Sequence, residues 1–187
     1  MGLVGATGSY QSFTTNNLER SRMLSTLGPV ARLRKRIKHV LNDVNPRLIT
    51  LRTAAWVLGG LGLWDPARYF PAFPNYHIRT NAFMASRETL TKIRVWPMAF
   101  KLPAFVFESG HESLTNQIIR LGLRPLVVAR TGEAFEKEQW HLLNTFRQAM
   151  QENLLVADNQ TDAYEETDVE GRIDLSRQAW GPFARPF

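Results

Sequence analysis

One apolar run, and the charge arranged around it, constrain this chain more than any motif it carries. Leu48–Trp64 (LITLRTAAWVLGGLGLW) is apolar almost throughout, and its one charged residue is Arg52. It sits at the end of a strongly basic stretch: residues 1–52 hold nine Lys/Arg against Glu19 and Asp43, a net of +7. Residues 53–130 hold nine against four, a net of +5, and residues 131–187 hold five against eleven, a net of −6. A cationic arm, an apolar segment, an aromatic and Pro-rich stretch and an acidic tail follow one another in that order. Such an order fits a chain set against a boundary or inside an assembly better than a free-standing enzyme.

As a helix, Leu48–Trp64 extends about 25 Å, against roughly 30 Å of bilayer hydrocarbon. Arg52 lies one turn from the N-terminal end, where its long stem can reach the head groups. Trp56, Trp64, Tyr69 and Phe70 are placed to act as interface anchors. The excess positive charge on the N-terminal side would turn that side toward a matrix or cytoplasm. A buried core helix is the competing reading, because segments this short serve both purposes.

At 187 residues the chain can form one domain with a real core, or a smaller domain with extended arms. A hydrophobic content of 44% and a charged content of 21% are ordinary for a folded protein. A pI near 10.1 calls for an anionic partner such as acidic lipid, RNA or an acidic protein surface. The acidic last third would repel phosphate unless held away from it. The chain has no cysteine, which excludes disulfides, Cys-ligated metals and thiol nucleophiles. With the apolar run starting at Leu48, no secretory signal is expected. The Arg-rich, Ser/Thr-rich, acid-poor composition before it matches mitochondrial targeting segments, with an ordinary basic arm as the alternative.

Along the chain, residues 1–22 read as irregular. Pro29 opens a helical pattern with Val30, Leu33, Ile37, Val40, Leu41 and Val44 on one face. Arg32, Arg34, Lys35, Arg36 and Lys38 fill the other face and are the candidate contacts to lipid or another anionic partner. Asp65–Ile78, with three prolines among aromatics, is expected to be extended. Asn81–Trp96 reads as a helix, and AFVF at 104–107 as a strand. Ser109 with Glu112 predicts a capping box for a helix carrying Leu114, Ile118 and Leu121, stopped at Gly122. LVVA at 126–129 reads as a strand. Thr131 is expected to cap a long helix over Glu133–Val156, with Phe135, Leu142, Leu143, Phe146, Ala149, Met150 and Leu154 as its stripe and Arg147 on the solvated side. Residues 157–174 read as irregular. The tail ends in Trp180, Phe183 and Phe187, interleaved with prolines, and these aromatics are the candidate docking residues for a neighbour.

The expected fold is therefore mainly α: several amphipathic helices, extended N- and C-terminal arms, one single-pass membrane helix candidate and two short strands in the C-terminal half. It divides into a basic arm (1–47), the apolar helix (48–64), a Pro/aromatic connection with a helix (65–108), a helical domain (109–156) and an acidic tail (157–187).

Motifs for catalysis are weak. His39, His77, His111 and His141 share no metal-ligand spacing; His39 extends the basic face, His111 and His141 have simpler capping or solvated roles, and His77 lies in the Pro/aromatic connection with no partner evident from sequence. The N-terminal GLVGATGS looks like the start of a nucleotide-binding glycine loop, but it lacks an upstream strand, the dinucleotide register and the Walker lysine. Gly2 precedes an Ala at position 6, where myristoylation prefers Ser or Thr. No GxSxG elbow is present, and the carboxylates cluster in the tail. No catalytic, cofactor or metal residues emerge.

The reading is a non-catalytic accessory subunit of a large mitochondrial inner-membrane energy-transducing complex, a respiratory complex or ATP synthase, clasping neighbouring subunits and anionic lipid without a small-molecule substrate. The alternative is a basic structural protein of a ribonucleoprotein such as the mitochondrial ribosome, in which the apolar run is core.

Overall fold

The strand at the centre of the sheet is only three residues long and comes from the first residues of the chain. In the computed structural model the described residues are 2–16, 18–19, 65–97 and 101–187. Strand β1 (Leu3–Gly5) pairs in parallel with β5 (Pro125–Val128) and antiparallel with β4 (Phe83–Met84). Val4 faces Leu126 on one side and Met84 on the other. β6 (Ala134–Phe135) adds antiparallel to β5, giving the order β4-β1-β5-β6. A second, two-stranded sheet joins β2 (Gly8–Ser9) to β3 (His77–Ile78). A parallel pair needs a crossover, and here everything between β1 and β5 supplies it.

Besides a helical stretch at 13–16, the α-helices among the described residues are α1 (Arg87–Thr91), α2 (Lys101–Ser109), α3 (Leu114–Arg120), α4 (Asn159–Glu166) and α5 (Val169–Trp180). Side-chain oxygens start most of them. Ser86 accepts from the Thr89 amide, Ser113 from Asn116 and Asp168 from Gly171. Asp158 and Thr161 form a reciprocal capping box at the start of α4. Gly122, at φ +72°, turns the chain out of α3 in the left-handed region that glycine enters at no cost.

The core gathers Leu3, Tyr10, Ile78, Leu114, Ile118, Val127, Trp140, Leu143, Phe146, Ala179 and Trp180. Trp140, in the 3-10 turn Lys137–Leu142, lies over β2. A Cβ at Gly8 would come within 2.6 Å of the indole, so a glycine is what lets ring and strand meet. The indole N–H donates to the Phe135 carbonyl at 3.0 Å.

The structure overturns the mainly α expectation: the fold is α+β, with a mixed four-stranded sheet and a second small sheet. LVVA is a strand as its β-branched pair predicts, but its partner β1 is too short to announce itself. AFVF lies in α2 instead, because Pro103 occupies the first turn, where no backbone N–H has an intrahelical partner. Ser109 is the last residue of α2, and Ser113 performs the capping expected of it. Over 81–96 the chain forms β4 and the single short helix α1. The long helix over 133–156 does not form: β6, the 3-10 turn and an irregular loop take its place. Its stripe splits accordingly, with Leu143 and Phe146 buried but Leu142 and Met150 exposed. The acidic stretch 157–174 is largely helical, because Asp158 and Asp168 are caps.

Neither end is an extended arm. Residues 2–12 contribute β1, β2 and buried Tyr10, and α5 carries Trp180 into the core. The basic helix from Pro29 and the apolar segment Leu48–Trp64 lie outside the described residues. Among the described residues no helix is long and apolar enough to cross a membrane.

Candidate functional site

Phe146 packs against the two most deeply buried arginines of the described chain. Arg79 follows β3 directly, and its amide donates to the Thr7 carbonyl at 3.0 Å. Its guanidinium carbon lies 4.1 Å from the Phe146 ring centroid, and its Nη2 makes an ion pair of 2.8 Å with Asp158 Oδ2. Arg147 places its guanidinium carbon 4.9 Å from the same centroid and donates from Nη2 to Gln160 Oε1 at 3.2 Å. The other oxygen of Asp158 accepts from the Gln160 and Thr161 amides, at 2.9 and 3.0 Å. One carboxylate at the start of α4 is thus set against two buried guanidiniums.

The loop that presents Arg147 is strained. Asn144, Arg147, Ala149 and Gln151 have φ of 53°, 47°, 42° and 52°. Each non-glycine residue in that region costs about 1 kcal/mol. Side-chain amides hold it there. Gln148 donates to the His141 and Phe183 carbonyls, at 2.9 and 3.0 Å, and accepts from the Ser176 hydroxyl and the Arg185 amide. Gln151 accepts from the Arg147 amide at 2.9 Å and donates to the Thr161 carbonyl at 3.2 Å. Asn153 donates to the Leu143 carbonyl at 2.9 Å. Backbone that forgoes a helix is satisfied by these side chains instead.

Electrostatics follow from this burial. Burial, and then the charge of Arg79, push Arg147 down to about 10, with Asp158 acting in the opposite direction. Burial works to raise the Asp158 carboxyl, but the Arg79 charge and the hydrogen bonds it accepts outweigh that and hold it below its usual value. Among the described residues, Arg79 Nη1, Arg147 Nε and Thr145 Oγ1 are buried without a hydrogen-bond partner. Such donors normally find one, since an unmade buried hydrogen bond costs about 1–3 kcal/mol. The arrangement is one of fixed donors and positive charge, suited to holding an oxyanion.

A second polar cluster is built on Tyr10. Its hydroxyl donates to the Lys137 carbonyl and lies 3.1 Å from His141 Nδ1. Burial pushes the phenol up and the His141 imidazole down, the latter aided by Arg185. Tyr76, Trp180 and Phe183 surround the Tyr10 ring. His77 is buried with Nδ1 2.9 Å from the Asn75 carbonyl, and His111 lies 3.0 Å from the Ala67 carbonyl through Nε2. Among the described residues no three His, Asp or Glu side chains converge as a metal would require.

Of the residues singled out from sequence, Arg32, Arg34, Lys35, Arg36, Lys38, Arg52, Trp56 and Trp64 lie outside the described residues. Trp180 is fully buried and donates from Nε1 to the Phe146 carbonyl at 2.6 Å, an interior place that removes it from any docking surface. Phe183 and Phe187 are 43% and 66% exposed, although Phe183 also packs on Tyr10 and His141. The arginine pair escapes sequence reasoning. Arg79 follows a Pro/aromatic stretch with no periodic signal, and a helix over 133–156 would place Arg147 in solvent. The one available hint was Asp158 three residues before Thr161, a capping box that marks where α4 begins. The chain matches no known protein family, no curated protein and no solved structure in any of the three comparisons made.

Proposed function

We propose that this chain is a non-catalytic structural subunit of a larger assembly, fastened to an anionic surface by its basic stretch 20–64. The observation that carries this reading is a hydrogen-bonded seam on either side of that stretch. Ser12 and Thr14 donate from their hydroxyls to the Pro71 and Phe70 carbonyls, at 2.6 and 2.8 Å. Thr15 accepts from the Phe73 amide at 2.9 Å, and the Phe13 and Phe70 rings lie 5.0 Å apart. Residues 20–64 are thus a continuous stretch whose two flanks are joined within one folded body.

Charge supports an attachment role for it. Residues 20–64 hold nine Lys/Arg against Asp43, a net of +8, whereas the rest of the chain carries 14 Lys/Arg against 16 Asp/Glu, a net of −2. A cationic stretch on a slightly acidic body favours contact with anionic surface through that stretch alone. The sharper version is an accessory subunit of a mitochondrial inner-membrane energy-transducing complex, with Leu48–Trp64 in the bilayer and Arg32–Lys38 at its head groups.

Native purification with mass spectrometry of co-migrating subunits tests it, together with alkaline carbonate extraction. Co-migration with inner-membrane subunits and retention in the carbonate pellet is the expected result. Release into the supernatant, with sedimentation that RNase abolishes, would assign the chain to a ribonucleoprotein instead. Replacing Leu58 and Leu61 by Asp is expected to prevent incorporation, and normal incorporation would reject burial of the apolar run in lipid or core.

A further inference from the structure

We propose that the Arg79–Arg147 cluster is a binding site for a small oxyanion, a phosphate or carboxylate group held beneath the strained 144–151 loop. Four observations converge on it. Both arginines are more than nine-tenths buried, and Asp158 is the carboxylate set against them. Among the described residues Arg79 Nη1 and Arg147 Nε are buried without a hydrogen-bond partner, and the arginine and phenylalanine side chains against them carry no acceptor. The two guanidiniums converge on one ring, Phe146, and are braced from the same helix start by Asp158 and Gln160. Finally, Arg147 itself is one of the left-handed residues, in a segment where four such residues fall within eight positions. Strain of this kind persists where the surroundings over-determine it and collects at ligand clamps.

An oxyanion suits the site better than any neutral ligand. It supplies the negative charge that one carboxylate against two guanidiniums leaves short, and its oxygens accept from donors on different residues at once. Small size follows from burial: the free donors expose no surface, so a polymer phosphodiester or a packed lipid head group cannot reach them, whereas a small ion enters when the loop opens. The loop belongs to no strand or helix ladder: the side-chain amides of Gln148, Gln151 and Asn153 hold it, together with the Ala149 amide on the Arg185 carbonyl and the Tyr164 and Trp180 donors on its own carbonyls.

Thermal unfolding of the full chain in inorganic phosphate, with chloride at equal ionic strength and pH as reference and acetate as the carboxylate arm, tests the proposal. A saturable rise of roughly 5–10 °C at a hundredfold excess over Kd is expected with phosphate or acetate. Arg147→Gln should abolish the rise, and combined Arg34→Gln, Lys35→Gln and Arg36→Gln should leave it intact. A rise that persists in Arg147→Gln is general salt stabilisation and overturns the site. A rise lost with the basic-stretch variants places binding there and overturns it equally. Should Arg147→Gln fail to fold, hydrogen exchange on the unaltered protein decides: slowing of the Arg147 and Gln151 amides by phosphate supports the site, and unchanged exchange rejects it.

Discussion

Tyr10 and Trp180 meet edge to face with their ring centroids 4.9 Å apart, joining the two ends of the chain inside one core. The contact is doubled by backbone: the Tyr10 amide donates to the Ala179 carbonyl at 3.0 Å, and the Ser9 hydroxyl lies 3.3 Å from the same oxygen. Trp180 then ties this junction to the strained loop through the Phe146 carbonyl. Two segments that composition marks as arms are therefore structural parts of one body.

Trp180→Ala should accordingly destabilise the fold by about 3–5 kcal/mol, the usual cost of emptying a fully buried aromatic site. Trp180→Phe, which keeps much of the volume but loses the indole donor, should cost less. Deleting 180–187 should prevent cooperative folding altogether. Urea unfolding followed by tryptophan fluorescence and circular dichroism measures all three. A truncated chain with an unchanged midpoint would show the tail to be detachable after all.

Gly8 should tolerate no side chain. An added methyl meets the Trp140 ring at 2.6 Å and Val127 at 2.9 Å, and both neighbours are fully buried and cannot retreat. Gly8→Ala is expected to cost about 1–3 kcal/mol through overpacking. At Gly122 a Cβ has nothing within 4 Å, so Gly122→Ala should lose only the cost of a positive φ, about 1 kcal/mol. A larger loss at Gly122 than at Gly8, read from chemical denaturation, would contradict this division.

Ala149 gives the opposite expectation. At φ 42° its methyl group strains a backbone that glycine adopts freely. Ala149→Gly relieves about 1 kcal/mol of strain but also loosens the unfolded chain by a similar amount, so the net change should be near zero. Everywhere inside a regular helix the same substitution costs about 1 kcal/mol. A clear loss at Ala149 would mean that the loop conformation is different in solution.

These residues also show why the sequence was only partly legible. Gly122 followed by Pro125 and then LVVA marks a helix stop and a strand, and both form, because they rest on local backbone preferences. β1 could not be seen, since a three-residue strand of Leu3, Val4 and Gly5 becomes central only through pairing with β5 far along the chain. The 133–156 pattern misled for a different reason. Leu143 and Phe146 are core residues, so an apolar stripe exists, but Gln148, Gln151 and Asn153 use their side chains to satisfy a non-helical backbone. Periodicity records which side chains are buried and is blind to amides that replace a helix's own hydrogen bonds. The arginine pair is hidden by the same substitution, because its loop exists only once those amides are in place.

His77 makes stability depend on pH in a definite direction. The ring is buried beside β2, and burial lowers its protonation constant below the ordinary 6.5 despite the opposing charge of Glu108. Between that lowered value and 6.5 the unfolded chain binds a proton that the folded chain refuses, so stability falls as pH drops below about 6.5. The slope there is up to about 1.4 kcal/mol per pH unit for one such group. His141, also lowered by burial, adds in the same direction. Asp158 acts in a separate window: its lowered value stabilises the fold above its ordinary 3.8, and that contribution is lost only as pH falls further. His77→Gln keeps an amide donor for the Asn75 carbonyl but cannot titrate. Its stability should fall less between pH 7 and pH 5 than that of the parent. Parallel pH profiles for the two proteins would place the acid sensitivity in other groups.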